Sequence, residues 1–204
     1  MSRGELYIDG RGEAQLLLSD GKKIPLAQKR PAIGGGVVLL IDCSSSMRVG
    51  KIDEAKEGAV AFTKRVLPTG ASVGVASFES TAELLVEPVR DFAVISAAVA
   101  AIEIGGSTNM ADGITLANGI LGEHNPRTIV LVTDGQPDDG EKALEAADNA
   151  RIRDIDIICI GVDGADLEFL RLIATVQDMA MHVSAANLQK TLEASADMLL
   201  LKGK

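Results

Sequence analysis

A doubly wound α/β domain, with a mostly parallel sheet and helices on both faces, is the fold class this sequence predicts. Three observations predict it. The aliphatic runs at 37–41, 128–132 and 155–160 are nearly continuous, as in strands buried on both faces. Segments with helical periodicity separate them, the alternation that builds a parallel sheet. Two of the runs stop at a carboxylate, Asp42 and Asp134. Open α/β sheets place their ligands at that end of the strands.

The elements follow in order. Residues 1–33 read as a short β-rich extension: Glu5–Ile8, Ala14–Leu18 and Lys22–Leu26 alternate or run apolar. Turn sequences at Asp9–Gly12 and Ser19–Gly21 separate these strands. Gly34-Gly35-Gly36 is expected to be a flexible joint to the main domain, 34–204. After the strand ending at Asp42, Ile52, Ala55, Ala59, Phe62 and Val66 share one helical face, and Pro68-Thr69-Gly70 ends the helix. Ser72–Phe78 and Ala82–Val86 are strands joined by only Glu79-Ser80-Thr81, which makes them antiparallel and puts the second at the sheet edge. Asp91 caps a helix over Phe92–Ile102. Met110, Ile114, Ala117 and Leu121 form the next apolar face, before the strand that ends at Asp134. A helix around Leu144–Ala150, a strand Ile155–Val162 and a helix around Leu167–Ile173 come next. A short strand near Met181–Val183 and a helix carrying Leu188, Leu192, Ala196 and Leu199 complete the chain.

Composition narrows the function. The 204 residues are 47% hydrophobic but only 2% aromatic, so the core must be built from Ala, Val, Ile and Leu. A net charge of −9 argues against nucleic acid and anionic membranes, both of which need clustered Lys and Arg. No apolar run approaches the roughly 18 residues that cross a bilayer, and MSRGELYIDGRG lacks the apolar segment of a secretory signal. A cytoplasmic location is expected, with Cys43 and Cys159 unpaired.

Three segments carry chemistry. Asp42-x-Ser44-x-Ser46 offers one carboxylate and two hydroxyls within a turn. Gly105-Gly106-Ser107-Thr108 is a glycine-rich loop before a helix, and Asp134 precedes Gly135. Hard cations such as Mg²⁺ require several oxygen ligands. Read alone, Asp42, Ser44 and Ser46 could also do no more than cap the following helix.

Together these segments resemble the metal-ion-dependent adhesion site of von Willebrand factor A domains over roughly residues 36–202. The resemblance implies a metal site of Asp42, Ser44, Ser46, Thr108 and Asp134, holding Mg²⁺ or alternatively Mn²⁺ or Ca²⁺. In that family pattern Ser44 and Ser46 bind the ion directly, and Thr108 directly or through water. Asp42 and Asp134 act through coordinated waters and the seryl hydroxyls. Ser107 is the neighbouring alternative to Thr108, which the family pattern favours. The implied function is metal-dependent protein–protein interaction, with a partner's Asp or Glu completing the coordination. Asp112, Asp138 and Asp139 are expected in first helical turns, and Met47 and Arg48 as solvent-facing loop residues.

Enzymatic readings fare less well. Cys43 and Arg48 are one residue too close for a cysteine-phosphatase loop, and Gly50-Lys51 lacks the upstream glycine of a phosphate loop. His124 and His182 are not assignable to a catalytic triad. Metal-assisted hydrolysis by Asp42 and Asp134 remains the enzymatic alternative, and a scaffold without metal the other.

Overall fold

A computed structural model describes the backbone at 5–8, 14–17, 23–25 and 34–202 except 49 and 176, with side chains from 34 to 196 except 49, 176 and 177. The chain forms two compact units, Met1–Ala32 and Ile33–Lys204. In the first, β1 (Glu5–Ile8), β2 (Ala14–Leu17) and β3 (Lys23–Pro25) pair in sequence as an antiparallel sheet. The turns expected at Asp9–Gly12 and Ser19–Gly21 lie outside the described residues.

The second unit is built on six strands: β4 (Gly36–Asp42), β5 (Ser72–Phe78), β6 (Ala82–Val89), β7 (Arg127–Thr133), β8 (Ile155–Val162) and β9 (Ala180–Val183). Their order is β6-β5-β4-β7-β8-β9, parallel throughout except for β6, which runs antiparallel at the edge. The chain thus winds outward from β4 to one edge, then returns to β7 and winds to the other. The carboxyl ends of β4 and β7 form the switch point where such sheets open a crevice.

The helices are α1 (Lys51–Val66), α2 (Phe92–Ala100), α3 (Met110–Leu121), α4 (Gly140–Ile152), α5 (Leu167–Ile173) and α6 (Leu188–Lys202). α1 packs against α2 and α6, and α3 against α4, which also meets α5. All seven residues of β4 are buried, so both faces of the sheet centre are covered. Its aliphatic run therefore has no polar alternation. The predicted apolar faces fill the core: Ala55, Ala59, Phe62, Ile114, Ala117, Leu121, Leu188 and Leu192 have no exposure. The Leu199 side chain on α6 lies outside the described residues.

Two expectations need correction. Gly35 and Gly36 are not a free joint. Gly36 N–H donates to the Pro126 carbonyl at 2.9 Å and the Gly35 carbonyl accepts from Ser72, so they begin the sheet. Gly35 has φ +76°, and a Cβ on it would lie 2.1 Å from the Pro126 oxygen. Met47 does not face solvent either, because its side chain is fully buried in the main core. β6 also continues past Val86 to Val89, carrying Pro88 on an edge strand where a missing N–H is tolerated.

Candidate metal centre

Asp42 closes β4 with no solvent exposure, between Phe78 of β5 and the end of β7. One carboxylate oxygen accepts from the Ser44 amide at 2.8 Å, the other from Thr133 Oγ1 at 2.5 Å. The first bond folds the chain sharply after the strand, and the second ties β4 to β7. Burial pushes the Asp42 carboxyl above its ordinary range, with donors from Ser44 and Thr133 acting against it and the charge of Asp134 adding to it.

The turn that follows presents the two serines side by side. Ser44 Oγ and Ser46 Oγ are 3.0 Å apart, and Ser46 Oγ donates to Asp134 Oδ1 at 2.6 Å. Ser44 is buried while Ser46 is exposed. Both oxygens of Asp134 are occupied, because the Lys51 ammonium donates to Oδ2.

Thr108 arrives from the glycine-rich loop. Gly105 N–H donates to the Cys43 carbonyl at 2.9 Å, and Ser45 N–H to the Gly106 carbonyl at 3.2 Å, lacing that loop to the serine turn. Gly106 has φ +39°, and a Cβ there would stand 1.5 Å from Glu79 Oε2. Only glycine fits. The Asp138 carboxylate accepts from Thr108 N–H at 3.1 Å, and Asp138 N–H donates to the Thr108 carbonyl at 2.9 Å. A Cβ built on Gly135 would lie 3.5 Å from Thr108 Oγ1 and 3.7 Å from Ser46 Oγ. Both hydroxyls therefore face the same small space beside Gly135. Ser107 turns the other way, its amide 3.2 Å from Ser80 Oγ.

The five residues singled out in the sequence thus lie around one crevice at the carboxyl ends of β4 and β7. Among the described residues no three His, Cys, Asp or Glu side chains are grouped as metal ligands. The donor set is instead three neutral hydroxyls backed by two carboxylates, all hard oxygen. Such a set fits Mg²⁺, Mn²⁺ or Ca²⁺ better than a soft ion.

Residues 36–195 match the von Willebrand factor type A domain. The chain belongs to that family. Such domains commonly serve as protein-interaction modules. Mouse matrilin-3 is 29% identical to this VWA chain over 77% of its length, a match covering 35% of the matrilin. The magnesium-chelatase 60 kDa subunit of Rhodobacter capsulatus is 25% identical over 69% of this chain and 26% of that one. The chain therefore spans about a third or less of these relatives. Among solved structures, the vWF domain of the pilus tip protein Mfa5 from Porphyromonas gingivalis aligns with a TM-score of 0.77 at 16% identity, covering 83% of this chain and 96% of that domain. A mussel byssus protein, PTMP1, solved with a zinc-occupied metal-ion-dependent adhesion site, aligns with a TM-score of 0.71 at 22% identity, covering 86% of this VWA chain and 47% of PTMP1.

Three further residues join the site: Thr133 holds Asp42, Lys51 donates to Asp134, and Asp138, expected in a first helical turn, instead precedes the Asp139 cap of α4 and holds the Thr108 backbone. Asp139 and Asp112 take helix-terminal roles: Asp139 caps α4 through the Lys142 amide, and Asp112 in the first turn of α3 accepts from Ala82 N–H. His124 packs over Gly36, and His182 contacts the Asp163 carbonyl.

Proposed function

We propose that this domain is a metal-dependent protein-interaction module acting inside the cell. Mg²⁺, with Mn²⁺ or Ca²⁺ as alternatives, is held by Ser44, Ser46 and Thr108, and the partner contributes an Asp or Glu carboxylate. The observation that supports this reading is the convergence of three hydroxyls from two separate loops on the crevice between β4 and β7, with Asp42 and Asp134 beneath them. The bound ion supplies a positive centre with a position left for an oxygen from outside.

The chain's own residues do the rest. Asp42 orients the serine turn through the Ser44 amide, and Thr133 holds Asp42. Asp134 accepts from Ser46 and so aims that hydroxyl's lone pairs away from itself. Asp138 fixes the backbone on which Thr108 stands. Because the direct ligands are neutral, the ion's charge is only partly offset nearby, which favours an anionic ligand. The chain's net charge of −9 works against an acidic partner, so the contact depends on the local ion. The likeness to PTMP1 with its occupied site, and to one subunit of magnesium chelatase, supports a metal-bearing module within a larger assembly.

The test is capture of partners by the immobilised protein with Mg²⁺, with EDTA, and with Asp42→Ala. Proteins retained by wild type in Mg²⁺ should be lost in both controls. Retention that ignores both would instead leave a metal-independent scaffold.

A further inference from the structure

We infer that the Lys51 ammonium is a built-in competitor of the divalent ion for Asp134, so that a residue outside the ligand set lowers the metal affinity of this domain. This rests on the metal-site reading above and concerns what tunes that site.

Lys51 is the first residue of α1, following Gly50 at φ +85°. A cation in a first helical turn opposes the helix dipole, whereas the neighbouring Asp53 and Glu54 suit it. Helix formation therefore does not account for a lysine there. Its ammonium instead turns to the crevice, where it donates to Asp134 Oδ2 and, at 3.3 Å, to the Ser46 carbonyl. The Asp134 side chain is 1% exposed and that of Lys51 22%, so the pair is largely withdrawn from water. A carboxylate so placed needs a counter-charge.

The site holds two buried carboxylates, Asp42 and Asp134, and one ammonium, which is paired with Asp134. A divalent ion would therefore enter a site already half neutralised, and would share Asp134 with a tethered cation. Removing the ammonium leaves both carboxylates to the ion alone. The same charge count shows what the lysine supplies in return. With Lys51 present, an ion-loaded site keeps one positive charge for an incoming carboxylate. Without it, the site is neutral.

Calorimetric titration with Mn²⁺ tests this on wild type, Lys51→Met and Lys51→Gln, with Asp134→Asn as the reference that removes the shared carboxylate. Far-UV circular dichroism checks that each variant is folded, and the use of two lysine variants guards against the loss of one. The expected result is Mn²⁺ binding about tenfold tighter in the lysine variants than in wild type. Equal or weaker binding overturns the inference. If Asp134→Asn has lost binding in that case, the metal site itself stands. No Mn²⁺ binding by wild type or by either lysine variant overturns both the inference and the metal reading.

Discussion

Ser46 and Asp134 stand 88 positions apart in the chain and share a 2.6 Å hydrogen bond. The bond spans the gap between the loop after β4 and the end of β7, the point where the sheet's winding reverses. One side chain is an exposed hydroxyl and the other a buried carboxylate, so the bond leads from solvent into the sheet's end. A ligand held by these two side chains would bridge the ends of both central strands.

Metal should therefore stabilise the fold. At about ten times its dissociation constant, Mg²⁺ adds roughly 1.4 kcal/mol by linkage, which raises the melting temperature by about 3–6 °C for a domain of this size. Asp42→Ala should remove that rise. Differential scanning fluorimetry in EDTA and in Mg²⁺ measures it, and a rise that survives in the mutant would place the ion elsewhere.

Thr133→Val keeps the shape of the β7 terminus but deletes the donor to the second Asp42 oxygen. An acceptor left unsatisfied in the interior costs about 1–3 kcal/mol. Urea denaturation should show a lower midpoint with an unchanged slope. Wild-type stability would mean that Asp42 finds another donor.

Gly106→Ala leaves every proposed ligand in place but introduces a Cβ into space held by Glu79 and Ser80, at a φ of +39°. A non-glycine residue in the left-handed region costs about 1–2 kcal/mol before any clash. The loop carrying Thr108 must shift, and Mg²⁺ affinity should fall with it. Unchanged affinity would show that Thr108 contributes little to holding the ion.

The Asp42 carboxyl gives the metal-free protein a pH dependence. Burial holds its folded pKa above the ordinary value. Between the two values, the folded state keeps a proton that the unfolded chain has released. The stability this contributes is complete below the window and is lost as pH rises through the folded pKa. In EDTA, the stability of wild type relative to Asp42→Asn should therefore decline from acid towards neutral pH, then level off. Mg²⁺, which favours the ionised carboxyl, should oppose the decline. A flat difference across the acid range would falsify this role for Asp42.

Cys43 adjoins the site without being open to oxidants. It is 4% exposed, its thiol donates to the Phe78 carbonyl at 3.3 Å, and burial pushes its pKa up. Cys159 is fully buried, with its pKa raised by the same cause. A thiol reagent should find neither cysteine in the native protein and both after unfolding, because the thiolate is the reactive form. Rapid labelling of native Cys43 would show that the thiol opens to solvent beside Ser44.

The sequence by itself determined the type and order of the elements and the position of the crevice. Burial on both faces writes a strand as an unbroken aliphatic run, and helical faces repeat locally, so β4, β7, β8, α1 and α3 were legible without knowing what they touch. Asp42 and Asp134 were legible because a carboxylate ends each run. The tertiary structure decided which oxygen answers which donor. Thr133 on Asp42, Asp138 beneath Thr108 and Lys51 on Asp134 depend on side chains meeting across long stretches of chain. Met47 shows the same limit from the apolar side: its place in the core was set by space left between packed elements, and its position in a polar loop carried no sign of it. Periodicity is a property of neighbours in sequence, whereas hydrogen-bond and charge satisfaction are properties of neighbours in space.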